Sequence, residues 1–145
     1  MPIKNYTTKV PVVRTIKEIQ ESLIKHGVLG ILMEYEKGTG RIEALKFLIE
    51  VKGNKVPFRL PTDWRKFQEV LKQQGVKRWN DDDYCYRVAW RVVRDWVMAQ
   101  MALFEINQVE LPQIFLPYMT DLNGVSTLYE RVLKSGFKFL GDGNK

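Results

Sequence analysis

The sequence predicts an α+β protein in which a three-stranded antiparallel meander packs on one long central helix, with short helices flanking the pair. Two observations carry this. Residues 81–107, DDDYCYRVAWRVVRDWVMAQMALFEIN, hold an uninterrupted helical pattern, and residues 28–60 hold three β-leaning runs parted by glycine-bearing turns. At about 100° per residue, Arg87, Arg91, Arg94, Asp95 and Glu105 fall on one strip, while Val88, Trp90, Val92, Val93, Trp96, Val97, Met101, Leu103, Phe104 and Ile106 occupy most of the circumference. A helix so apolar has to be wrapped by the rest of the chain. At a rise of 1.5 Å per residue it is roughly 37 Å long, enough to cross a small domain, and it is predicted to be the most buried element.

Before that helix, residues 1–14 contain Pro2, Pro11 and a β-leaning run from Lys9 to Val13, so an extended arm is expected, with Lys4, Lys9 and Arg14 along one exposed ribbon. Thr15-Ile16-Lys17-Glu18 reads as a capping box opening a helix whose buried stripe is Ile16, Ile19, Leu23 and Ile24, with Gly27 as the stop. Residues 28–35 make a first strand. The turn at 36–40 carries Gly38 and Gly40, and residues 41–51 then alternate, with Leu45, Phe47, Ile49 and Val51 on one face and Lys46 and Glu50 on the other. After the turn at 52–55, the strand at 56–60 contains Pro57, which cannot donate to a ladder and so favours a sheet edge. Thr62 is read as the cap of a helix over 63–74 with Trp64, Phe67, Val70 and Leu71 at helical spacing. Residues 76–80 form a basic, aromatic connection into the central helix.

Beyond the central helix, Glu110-Leu111-Pro112 opens a short helix through Phe115 and Leu116, and residues 121–124 read as a turn. Ser126 is the expected cap of a last helix to Lys134, with Leu128, Val132 and Leu133 inward. Residues 137–140 are expected to pack back and 141–145 to form a frayed tail. With no internal repeat and no low-complexity linker, 1–145 reads as a single domain.

Composition narrows the function classes. One cysteine, Cys85, forms no internal disulfide, and one cysteine with one histidine makes no zinc set, so no metal or cofactor is expected. No apolar run has the length of a membrane span and the first residues lack a signal-type apolar core, which points to a soluble, intracellular protein without a membrane partner. The net charge is +6 and the pI about 9.4. The excess lies in the first half, since residues 76–145 balance acid against base. Such a distribution suits a polyanionic partner.

Several local patterns bear on chemistry. Lys77-Arg78-Trp79-Asn80 joins charge to a stacking surface, as single-stranded nucleic acid requires. Glu50-Val51-Lys52 resembles the metal-binding half of the PD-(D/E)xK nucleases, which would need a second carboxylate from Glu34 or Glu36. The element order of residues 15–74 is similar to that of double-stranded RNA-binding domains, with Arg65 and Lys66 near the start of the second helix. Asp81 to Asp83 complement a helix dipole, and Asp83 with Arg87 and Arg91 with Asp95 are spaced for pairs along one helix, which leaves Arg94 without such a partner. His26 is placed to complement a helix C-terminus.

The run RVAWRVVRDWVMAQMALFE, followed by IFLPYM and TLYE, together with NYTTKVPVVRTIKEIQ and RLP, resembles small proteins encoded in bacteriophage and prophage genomes over nearly the full length. The resemblance implies a phage setting, in which nucleic-acid handlers and modulators of host proteins are common, and carries over no catalytic residue. The leading expectation is an accessory protein without catalytic residues that binds nucleic acid through Lys4, Lys9, Arg14, Arg65, Lys66, Lys77, Arg78 and Trp79. The alternative is a module, monomeric or homodimeric, that binds a host or phage protein. The nuclease reading ranks third.

Overall fold

The computed structural model of the chain describes residues 2–138. Its elements run α1 (Val12–Lys25), β1 (Gly30–Tyr35), β2 (Ile42–Val51), β3 (Asn54–Pro61), α2 (Trp64–Gln73), α3 (Asp82–Glu105), α4 (Leu111–Phe115), a 3-10 turn (Leu116–Tyr118) and α5 (Leu128–Lys134). The class is α+β, with a three-stranded antiparallel sheet in the order β1-β2-β3 and a long central helix. The frayed tail expected at 141–145 and the packing expected of Phe139 and Leu140 lie outside the described residues.

β2 is central because Leu45, Phe47 and Ile49 supply one wholly apolar face, all three buried against the helical layer. A bulge sits at its start: Glu34 faces Ala44 and Tyr35 faces Ile42, so Glu43 is the extra residue. The bulge shifts the alternation by one, which returns Ile42 to the core face, where its carbonyl accepts from Trp90 Nε1 at 3.1 Å. Pro57 stands on the outer edge of β3 as its missing N–H demands. There its carbonyl accepts from Thr120 N at 2.9 Å, and Met119 bridges Phe58, so this edge is covered while β1 stays open among the described residues.

Four boundaries differ from the sequence reading, each for a packing reason. α1 starts three residues before the expected capping box, with Pro11 as its N-cap. Val12 is buried in the core, and Thr15, itself fully buried inside the helix, donates from its hydroxyl to Pro11 O. Glu18 is therefore free to leave the helix start and bind Arg14, Arg91 and Arg94. Residues 4–7 form a turn rather than a ribbon, fastened to the body by Ile3 N on Gln74 Oε1 (2.6 Å), Asn5 Nδ2 on Asp95 Oδ2 (2.9 Å) and the Tyr84 hydroxyl on Tyr6 O. Thr62 does not cap α2. Its N donates to Glu43 O at 2.9 Å, prolonging the sheet, and Asp63 caps instead by accepting from Arg65 N. Ser126 gives way to Thr127, which forms a reciprocal capping box with Glu130.

The inward stripes also shift. Ile24 and Leu133 are 60% and 55% exposed, and no residue of α5 is fully buried. In α3, Trp90 is fully buried, but Trp96 is only half-buried, edge-on to Phe115 and Tyr118. The stretch 91–96 is half-buried throughout, so β2, and not α3, is the element buried in greater proportion. The core has two parts. One joins α1, the sheet, α3 and α4; the other gathers Trp64, Leu71, Tyr84, Cys85, Val88 and Ala89, and Tyr86 touches both. Burial pushes the Cys85 thiol up to about 11, which fits an unreactive core residue.

Candidate binding groove

A groove beside α1 follows from where that helix begins. Starting the helix at Val12 buries that residue and turns Val13 and Lys17 outward, opposite the open edge of β1. Between them lies a groove of about 790 Å³, lined by α1, by Met33 and Tyr35 of β1, and by Asp83, Tyr86 and Arg87 from the first turns of α3. This is the size range of ligand clefts. Tyr86 is fixed in the wall because its hydroxyl accepts from Ile42 N at 2.6 Å, and burial pushes its pKa up.

The electrostatics of the groove are one-sided. Its carboxylate, Asp83, is taken by Arg41, whose Nη2 donates at 2.8 Å while its guanidinium lies over the rings of Trp64 and Tyr86. The pair expected between Asp83 and Arg87 is therefore not made. Nor is the one between Arg91 and Asp95, since Arg91 donates to Glu18 at 3.1 Å and Arg94 bridges Glu18 and Asp95. Lys9, Lys17 and Arg87 remain on the groove wall, and Arg87 Nε is buried with no acceptor among the described residues.

The eight residues predicted to bind nucleic acid are treated unevenly. Lys4 pairs with Asp95 at 3.3 Å, Arg14 with Glu18 at 3.3 Å, and Arg78 with Asp81 at 2.7 Å. Arg65 forks onto Glu36 with bonds of 2.6 and 2.8 Å and lies over the Trp64 ring. Trp79 packs, half-buried, against the second core, with Lys72 over its ring. Lys66 and Lys77 are exposed, and Lys9 joins the groove. Sequence reasoning missed Val13, Lys17 and Tyr35 as wall residues and assigned Arg87 a partner it lacks. The one available signal was the exposed valine that follows if Pro11 starts the helix.

The nuclease arrangement is not assembled. Glu50 is exposed opposite Lys55, six residues along β2 from the partner of Glu34, which is about 20 Å. Lys52 is in the hairpin turn at φ 50°. Bonding to Arg59 holds Glu34 at about 2, and bonding to Arg65 holds Glu36 at about 2. The Glu43 carboxyl, brought beside Glu34 by the bulge, is pushed up by that neighbour. No group of three or more acidic, histidine or cysteine side chains is placed to hold a metal among the described residues. His26 does sit at the end of α1, where its ring spans from Ser22 O to Glu105 and ties that end to α3. No described helix is long and apolar enough to cross a membrane. Compared with protein-family models, curated proteins and solved structures, the chain matches none.

Proposed function

We propose that the protein is a binding module that holds a segment of a partner protein in the groove between α1 and the open edge of β1, as a phage-type modulator of a host or phage protein would. The observation that carries this is that exposed apolar side chains and cations without an ion-pair partner among the described residues meet in one groove. Val13, 79% exposed, and Tyr35, 54% exposed, line the same groove as Lys9, Lys17 and Arg87, whose buried Nε has no acceptor among the described residues. Apolar surface rimmed by unpaired charge marks a place where a partner gains both burial and hydrogen bonds. The nucleic-acid reading draws less support, because Lys4, Arg14, Arg65 and Arg78 already neutralise carboxylates, and each would have to leave its partner to take a phosphate.

A paired experiment tests this. A photoreactive benzophenone side chain installed at position 13 should give discrete protein adducts in cells expressing the chain, and Arg87→Gln should remove them. The same protein should leave single- and double-stranded oligonucleotides unshifted. A salt-dependent oligonucleotide shift lost in a Lys66→Ala, Lys77→Ala double variant, with no adducts at position 13, would move the function to the α2 surface.

A further inference from the structure

Two features of the groove restrict what can fill it. The first is charge. Among the described residues, Lys9, Lys17 and Arg87 share the wall with a single carboxylate, Asp83, that Arg41 has already taken, so the wall they form is cationic. Arg87 is half-buried and its Nε lacks an acceptor among the described residues. A donor left unbonded in such a place is destabilising, and a carboxylate gripping the guanidinium, after a small turn of the side chain, would remove that deficit with paired hydrogen bonds.

The second feature is backbone. Among the described residues β1 pairs on one side only, with β2, whereas the far edge of the sheet is covered by Met119 and Thr120. Met33 and Tyr35, which line the groove, belong to this open strand. An extended chain laid against it gains main-chain hydrogen bonds, and its alternate side chains fall between β1 and the exposed Val13. A nucleic-acid strand has no peptide backbone whose N–H and C=O groups repeat in register with that edge.

We infer that the occupant is an extended acidic segment of the partner, which adds as a strand to β1, alternates carboxylates with aliphatic or aromatic side chains, and docks one carboxylate on Arg87. This rests on the partner-capture reading above. It goes further in assigning the partner's charge, its conformation and the strand it joins.

The test pans a displayed library of random peptides on the full chain. Selected sequences should alternate Asp or Glu with Val, Ile or Phe. Binding of a synthetic representative should weaken about tenfold or more when its carboxylates become amides, and likewise in Arg87→Gln, since a charge-assisted bond is lost in each case. Lys9→Gln with Lys17→Gln, two exposed positions, should weaken it without touching the core and so guards against a misfolded Arg87 variant. N-methylation of alternate peptide amides should abolish binding, and backbone NMR shifts should centre on residues 30–35. Selection of neutral or basic sequences, no selection at all, or indifference to both Arg87→Gln and N-methylation overturns the inference. So does a concentration-dependent dimer that buries β1 against β1. If adducts at position 13 persist while any of these outcomes is found, partner capture stands and only the acidic strand falls. If the adducts are also absent, both fall.

Discussion

Glu34 and Glu36 lie two residues apart, yet each is gripped by an arginine from a different element, Arg59 of β3 and Arg65 of α2. Both carboxyls drop from the ordinary 4.5 to about 2 through those bonds. A depressed carboxylate stabilises the fold fully above its unfolded value and loses that contribution as pH falls through its folded one. Unfolding free energy should therefore be flat from neutral pH to about 4.5 and decline toward pH 2, and Arg59→Gln with Arg65→Gln should flatten the decline; an equally steep decline in that double variant would refute the assignment. Trp90 and Trp96 give a second residue-scale comparison. Trp90 is fully buried and bonded to Ile42 O, so Trp90→Ala should cost about 3–5 kcal/mol in urea unfolding. Trp96, half-buried on α3, should cost roughly half as much, and the reverse order would show that the core is centred elsewhere. The sequence marks both as apolar helix positions and has no means of ranking them, because exposure depends on which neighbours arrive.

At the scale of elements, the strands and helices were legible from periodicity and turn residues, while three of the helix starts were not. Thr15, Thr62 and Ser126 are each sound caps on local chemistry, and each loses to a neighbour. Thr15 is displaced because burying Val12 favours starting α1 at Pro11, Thr62 because it still belongs to the sheet, and Ser126 because Thr127 makes the full box with Glu130. Thr127→Ala should thus cost about 1 kcal/mol and speed amide exchange in α5, whereas Ser126→Ala should do neither. Equal effects at the two positions would return the cap to Ser126. The groove belongs to this scale too. Its wall exists only because α1 starts where it does, so the sequence announces it only to a reader who already places the helix start at Pro11.

Across the whole molecule, α1 is seated on α3 by Ile16, Ile19 and Leu23 and by Glu18, which collects Arg14, Arg91 and Arg94. Burial opposes the ionisation of Glu18, but the two α3 guanidiniums outweigh it and hold its pKa below the usual range. Glu18→Ala takes the carboxylate from Arg91 and leaves Arg94 with Asp95 alone, and should cost about 1–3 kcal/mol, with the loss persisting in high salt because the pairs are partly shielded from it. If salt erases the loss, the pairs are surface decoration and α1 is held by its apolar stripe alone. The chain carries two kinds of information. The α+β class, the antiparallel meander, the central helix and the edge position of Pro57 follow from the sequence by itself, because periodicity, turn chemistry and a missing N–H are properties of neighbouring residues. Which arginine meets which carboxylate was decided only by the tertiary structure, because charges along one helix strip have several partners within reach and distant elements outcompeted the i,i+4 neighbours. Asp83 went to Arg41 and Arg91 to Glu18, and Arg87 was left facing the groove with a donor to fill.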